Sequence, residues 1–434
     1  MMKHTTRPKG RMMLSGLLAA ALLLGGSAQA LAETASGAAG TGSQTGSQAA
    51  ITQGSTQAIV ALGDSITAGY EPGMTEASPV YGYVDRIKEQ ALFHGRAEVT
   101  NYGILGLTSS GLLNYVKALK EGTAVTGDTI QSGISDPRIG SFAAGIPAAR
   151  EKLAQADKIM ITIGGNDVSQ LIGQAKSLTG EQLELKATEL LEAYKSNIKE
   201  ILSLLIEINP DAAIILADQY QPVPKVVGTA QYEMLNRFAA SFTQAVDEAA
   251  AGFTAEGKSV KAAHVAEKFV GKELSYTHIF NEDVHPNQSG YETIAAVMAE
   301  SIWGTYRETA AKSGKAELSV VVSGKELQTP YPPIVKNGQT FVVLRDITDA
   351  IGGTSKWDSK TGTATVSYNG KDVVIPIGAK QVTANGVKVE TAMPAFLQKI
   401  GAEQKTYVPL AVLVKGLGLD VQYSGKMKTV FINL

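Results

Sequence analysis

The chain has 434 residues, 44% of them apolar and 18% charged, with a formal net charge of −2 at pH 7. That length suits two or more globular domains, and the near-neutral charge removes the electrostatic case for a nucleic-acid partner. With no cysteine in the sequence, thiolate nucleophiles, thiolate metal sites, disulfides and lipid-bearing cysteines are all excluded.

In chain order, Lys3, Arg7, Lys9 and Arg11 precede an apolar run from Met13 to Leu24. The run is too short to span a bilayer. Ala28-Gln29-Ala30 and Ala30-Leu31-Ala32 both fit a small-residue cleavage site. The pattern predicts a signal peptide over 1–32, with cleavage after Ala32 preferred. No second span appears, so the mature protein is expected to be exported, soluble and without a membrane segment. Residues 33–56 are almost entirely Ala, Gly, Ser, Thr and Gln. Such a stretch buries too little apolar area to offset its ordering entropy, and reads as a flexible linker.

Residues 57–308 alternate strand-like and helix-like patterns. Short β-rich runs at Ala58–Leu62, Glu98–Tyr102, Lys158–Ile163 and Ala212–Leu216 read as strands. Helical periodicity covers Val84–Phe93, Leu183–Ile208 and Tyr232–Ala251. Alternation at this spacing predicts an α/β domain, a parallel sheet covered on both faces. Ligands of such sheets bind beyond the carboxyl ends of the strands. The Gly-rich stretch from 117 to 144 breaks the pattern and reads as an irregular segment, either a lid or binding loop or a surface decoration.

A short polar stretch at Arg307–Lys315 closes this domain, and the remainder, 317–434, is β-rich and repeats itself. Thr340-Phe341-Val342-Val343-Leu344 matches Thr406-Tyr407-Val408-Pro409-Leu410, an offset of 66. At the same offset Ile351-Gly352 matches Leu417-Gly418, Trp357 matches Tyr423, and the strand-like Thr363–Val366 matches Thr429–Phe431. Four matches in register predict a duplicated unit of strand, short helix and closing strand, a small α+β or mainly β domain.

Four strand ends in the first domain carry polar motifs. A serine needs a base to become nucleophilic, and acyl transfer needs donors for an oxyanion. Ser65 in Gly63-Asp64-Ser65 supplies the hydroxyl, and His285 before Pro286 the base. A carboxylate must orient the imidazole through its other nitrogen, and Glu282 and Asp283 both precede His285. The Ser65 N–H, the Gly106 N–H and the Asn166 side-chain amide are the candidate oxyanion donors. Taken singly, each motif is also an ordinary turn; their order along the chain points to one site.

These motifs resemble the four blocks of the GDSL, or SGNH, hydrolase family: Gly63-Asp64-Ser65-Ile66, Asn101 to Gly106, Gly164-Gly165-Asn166-Asp167, and Asp283-Val284-His285-Pro286. The resemblance covers about 57–305 and implies a three-layer α/β/α, flavodoxin-like fold. It also implies a secreted serine esterase or lipase working through an acyl-enzyme on small-molecule, lipid or sugar esters, with no metal or other cofactor. The family's acid stands three residues before the histidine, where this chain has Glu282, so Glu282 is favoured over Asp283 as the orienting group. Deacetylation of cell-wall or plant polysaccharide is the alternative within the class. A non-catalytic cell-surface binding module is the alternative outside it. Residues 317–434 resemble the stalk domain, also named for the N-terminal domain of copper amine oxidases. That resemblance implies an accessory module in contact with the cell wall, or a plain spacer. Copper is not expected there, because no histidine follows His285.

Overall fold

A computed structural model describes residues 56–75, 77–174 and 180–434. The expected signal peptide, and all of the expected linker except Thr56, lie outside the described residues. The chain divides into two compact units, and the C-terminal one takes everything from Arg307 onward together with the stretch Lys88–Glu98.

The segment up to Tyr306 begins with β1 (Thr56–Gly63), α1 (Ser65–Ala68), α2 (Tyr83–Leu92) and β2 (Arg96–Gly103). It continues through α3 (Ser109–Glu121), α4 (Gly127–Ile130), α5 (Ile139–Ala144), α6 (Ile146–Ala154), β3 (Lys158–Thr162), α7 (Gly165–Gln174) and α8 (Gly180–Ile208). It closes with β4 (Ala213–Ala217), α9 (Thr229–Ala255), β5 (Val260–Ala263), α10 (Ala266–Phe269), α11 (Glu273–Tyr276) and α12 (Gln288–Trp303). The five strands form one sheet in the order β2-β1-β3-β4-β5. The pairs β1–β3, β3–β4 and β4–β5 run parallel.

Burial explains why the three central strands, β1, β3 and β4, read as unbroken apolar runs. Ile59 to Leu62, Ile159 to Ile161 and Ile214 to Leu216 are all no more than 2% exposed, so both faces of the sheet are covered. Val60, Leu62, Ile159, Ile161, Ile214 and Leu216 pack with side chains of α3, α6, α8 and α9. On the other face, α12 lies against β4 and β5. Strand order reverses direction between β1 and β3. The loops leaving those two strands therefore diverge and open a crevice, where ligands bind in this topology. The α/β layering expected from the alternation is what the structure shows. β5 was not expected: its four residues include exposed Lys261, too weak a pattern to mark a strand.

The expectation of an irregular segment over 117–144 is corrected. Helix α3 starts at a Thr108 cap and runs to Glu121, where Gly122 ends it at φ 72°. Thr126 caps α4. Ile130 and Ile146 are 0% exposed and belong to the same core, so the segment is an integral part of the unit rather than a surface decoration. Gly122 ends α3, Gly127 and Gly140 lie in the first turns of α4 and α5, and only 122–126 and 131–138 are irregular.

The C-terminal unit holds β6 (Ser319–Val322), β7 (Lys325–Glu326), β8 (Ile334–Lys336), β9 (Gln339–Val343), α13 (Leu344–Ala350), β10 (Thr354–Asp358) and β11 (Thr363–Tyr368). After these come β12 (Lys371–Pro376), β13 (Gln381–Ala384), β14 (Val387–Glu390), β15 (Phe396–Ile400), β16 (Glu403–Pro409), α14 (Leu410–Gly416), β17 (Asp420–Ser424) and β18 (Thr429–Asn433). The repeat is visible in the elements themselves. α13, β10 and the start of β11 recur 66 residues on as α14, β17 and the start of β18. Leu344, Ile347, Ile351 and Ala364 occupy the same core as their counterparts Leu410, Leu413, Leu417 and Val430. The equivalent strands β9 and β16 pair antiparallel with each other, Val342 opposite Val408. Among the described residues, no helix of the chain is long and apolar enough to cross a membrane.

Candidate active site

The sheet ends at Gly63 with φ 145°, a conformation that L side chains rarely adopt. A Cβ there would also lie 2.1 Å from the Thr162 carbonyl oxygen. Only glycine lets the chain leave β1 this close to β3. Asp64 then caps α1, accepting from the Ile66 N–H at 3.0 Å and from the Thr162 hydroxyl at 3.1 Å. Its carboxyl is fully buried, and burial pushes its pKa up to about 6 against the pull of those two bonds and of His285. Ser65, the first residue of α1, is 7% exposed.

His285 approaches from the loop before α12. Its Nε2 lies 2.8 Å from Ser65 Oγ, and its Nδ1 lies 2.7 Å from Asp283 Oδ1. An ionised carboxylate only accepts, so Nδ1 carries the proton and Nε2 offers its lone pair to the Ser65 hydroxyl. Burial disfavours the charged Asp283, but its bonds to His285 outweigh that and hold its pKa below the usual carboxylate value. The loop is tied at both ends. The His278 N–H donates to the His285 carbonyl at 3.0 Å, and the Tyr220 hydroxyl donates to the Val284 carbonyl at 2.9 Å. Asn287 caps α12 through the Ser289 and Gly290 N–H groups.

The preference for Glu282 is corrected. Glu282 closes a short 3-10 turn in the left-handed region, φ 60°, and is exposed. Asp283 instead accepts the backbone N–H of His285 at 2.8 Å, forming a turn two residues long. The same oxygen receives the ring nitrogen. A short side chain two residues upstream reaches both groups at once.

The second and third motifs are bound to this pair by short links. Gly103 packs so tightly on the serine helix that a Cβ would lie 2.2 Å from the Ala68 nitrogen. The Ile104 N–H donates to the Gly63 carbonyl at 2.9 Å, and Asn101 Nδ2 to the Thr67 carbonyl at 2.7 Å. Gly106 follows at φ 78°. Asn166 Nδ2 donates to the Leu107 carbonyl at 2.9 Å, which fixes the amide beside Gly106 and leaves its second proton for another acceptor. Asp167 accepts from the Ser109 N–H at 2.9 Å and the Ser109 hydroxyl at 2.6 Å. Burial raises the Asp167 pKa, against those two bonds. Hydrogen bonds thus join Ser65 to His285, the Gly103–Ile104 end of the second motif to the Gly63–Thr67 turn, and Asn166 to the residue after Gly106.

Sequence reasoning missed Tyr70. Its ring meets the His285 ring edge-on, centroids 4.7 Å apart. Its N–H donates to the Ser65 carbonyl at 3.0 Å, and its carbonyl accepts from the buried Tyr291 hydroxyl at 2.6 Å. An aromatic five residues after Ser65 was the available signal, but one tyrosine in a turn says little by itself.

Residues 61–293 match the GDSL-like lipase/acylhydrolase family, and residues 321–432 match the copper amine oxidase N-terminal domain. The second match contains neither histidine nor cysteine, so the imidazole and thiolate donors that copper favours are missing from it. The uncharacterised protein YpmR of Bacillus subtilis is 25% identical over 248 residues, 56% of this chain and 80% of that one. Among solved structures, the lipase Lip_vut3 from a goat rumen metagenome is 22% identical. The alignment covers 56% of this chain and 96% of that one, with a TM-score of 0.41. An acetylxylan esterase from Geobacillus stearothermophilus, in a catalytic mutant form, is 17% identical over 60% of this chain and 99% of that one, with a TM-score of 0.36. The match over 61–293 spans more than half of the sequence, and the chain belongs to the GDSL-like lipase/acylhydrolase family, a hydrolase of ester bonds.

Proposed function

We propose that this protein is an exported serine esterase that cleaves carboxylic esters through an acyl-enzyme on Ser65. The observation that carries the reading is the unbroken line Ser65 Oγ, His285 Nε2, His285 Nδ1, Asp283 Oδ1, with contacts of 2.8 and 2.7 Å. As Ser65 Oγ attacks the ester carbonyl carbon, His285 Nε2 takes its proton, and Asp283 stabilises the imidazolium that forms. The Ser65 N–H, the Gly106 N–H and the free Asn166 proton meet the oxyanion. Collapse of the adduct breaks the bond to the alcohol, which leaves with the proton from His285. Water, deprotonated by the same nitrogen, then releases the acid and restores Ser65.

Export is supported by the basic residues Lys3 to Arg11 ahead of the apolar run and by the small-residue cleavage patterns that follow it. For the C-terminal unit we propose contact with the cell wall, in keeping with its separate compact build. The test of the catalytic reading is direct. The purified protein is expected to hydrolyse p-nitrophenyl acetate and to be labelled at Ser65 by a fluorophosphonate, and Ser65→Ala to abolish both. A protein that is inert and unlabelled is a binding module, and sedimentation with purified walls would then report its role. Rates on acetylated xylan against short- and long-chain esters decide the substrate class.

A further inference from the structure

Three side chains from the segment between α3 and α6 reach back to residues 103–108, the loop that presents Gly106. Gln131 Nε2 donates to the Gly106 carbonyl at 3.0 Å. Its Oε1 accepts from the Thr108 N–H and the Thr108 hydroxyl, both at 2.9 Å. Asp136 Oδ2 accepts from the Leu105 N–H at 2.7 Å. Arg138 donates to the Gly103 carbonyl at 3.0 Å, and its guanidinium holds both Asp136 oxygens at 2.8 and 3.0 Å. Asp136 is 2% exposed. Burial works against its charge, but the bonds from Arg138 and Leu105 outweigh it and keep its pKa below the usual value.

The placement of these bonds is selective. The peptide unit carrying the Gly106 N–H lies between two others. The unit before it is held at the Leu105 N–H by Asp136, and the unit after it at the Gly106 carbonyl by Gln131. Gly106 sits at φ 78° with no side chain to wedge it in place. Something outside the loop must therefore fix the direction of its N–H. The fold also vacates space for the brace: a Cβ on Gly111, in the first turn of α3, would lie 2.2 Å from Gln131 Oε1. Ile130, next to Gln131, is 0% exposed and anchors it in the core.

We propose that Gln131 and Asp136 are positioning residues for the oxyanion donor Gly106, and that the segment carrying them is a fixed brace of the active site rather than a lid. The inference rests on the esterase reading above. Its physical basis is that a donor contributes to the transition state only when it is already aimed where the charge develops.

The experiment compares wild type, Gln131→Ala, Gln131→Glu and Asp136→Asn. The near-isosteric Glu keeps the acceptor for Thr108 and removes the donor to Gly106, so it tests the bond even if the alanine variant folds poorly. Gln131→Glu is expected to lower kcat by about 10- to 10²-fold, less than outright loss of a donor. KM should stay within twofold, and the affinity for a trifluoromethyl ketone, which forms a tetrahedral oxyanion on Ser65, should fall by the same factor as kcat. Amide hydrogen exchange of residues 103–108 should quicken while the melting temperature holds. An unchanged kcat and ketone affinity in an active enzyme overturns the brace, as does a loss confined to KM. An inactive wild type overturns the esterase reading instead. The brace is then judged on exchange alone, and unchanged exchange in Gln131→Ala and Asp136→Asn refutes it.

Discussion

Asp283 Oδ1 accepts from His285 twice, from its backbone N–H at 2.8 Å and from its ring Nδ1 at 2.7 Å. One oxygen therefore sets both the turn and the ring. Replacing Asp283 by Asn puts either a second donor or a weaker acceptor against Nδ1. Turnover is expected to fall by about 10²- to 10⁴-fold, the scale on which triad acids act. Glu282→Gln, at an exposed position, should stay within twofold of wild type. Initial rates on p-nitrophenyl acetate decide between them, and the reverse ranking would restore Glu282.

Tyr70 lies between the two halves of the site, its backbone bonded to Ser65 and Tyr291 and its ring against His285. Tyr70→Phe keeps the ring and should leave kcat nearly unchanged. Tyr70→Ala removes the edge-on contact, worth about 0.5–1.5 kcal/mol for an aromatic pair, and should cut kcat by roughly 3- to 10-fold. Equal losses in both variants would show that the hydroxyl, not the ring, is what matters.

Gly63→Ala should be among the most damaging single changes in the chain. The added methyl meets the Thr162 carbonyl at 2.1 Å, and φ 145° is strained for alanine. A cost of about 3 kcal/mol or more is expected, measured as a lowered denaturant midpoint of the N-terminal unit. Gly133→Ala, with open space around it at φ 72°, should cost far less.

The buried carboxyl of Asp64 titrates at about 6 when folded, against 3.8 ordinarily. Between those values the folded chain holds a proton that the unfolded chain releases, so this group's contribution to stability is complete below about pH 4. It is lost as pH rises through about 6. Asp64→Asn abolishes that titration. Melting curves across pH 4 to 7 should therefore show the variant gaining on wild type as pH rises. A constant difference would contradict the assignment.

The layout of the sheet was legible because parallel strands buried on both faces leave apolar runs; β1, β2 and β3 lead into polar motifs, whereas His285 follows a 3-10 turn rather than a strand. The residues of those motifs could be named from the sequence for the same reason. What escaped notice depended on contacts between distant segments. Glu282 looked right by spacing from His285, but the local turn places the shorter Asp283 under the ring. Gln131 and Asp136 sit in a stretch whose glycines suggested a loose loop. Nothing in Gln131-Ser132-Gly133 announces that its amide reaches a carbonyl 25 positions back. β5 escaped because four residues with a lysine among them carry too little periodicity to register.

The pairing of β9 with β16 has an evolutionary corollary. The two strands are equivalent positions of a tandem duplication, and each covers the edge of the other. A chain with one copy would leave that edge bare, and bare edges recruit partners. The symmetric solution is a pair of identical subunits joined across a twofold axis. The tandem repeat supplies that partner strand from within the same chain, so the edge is closed without a second subunit.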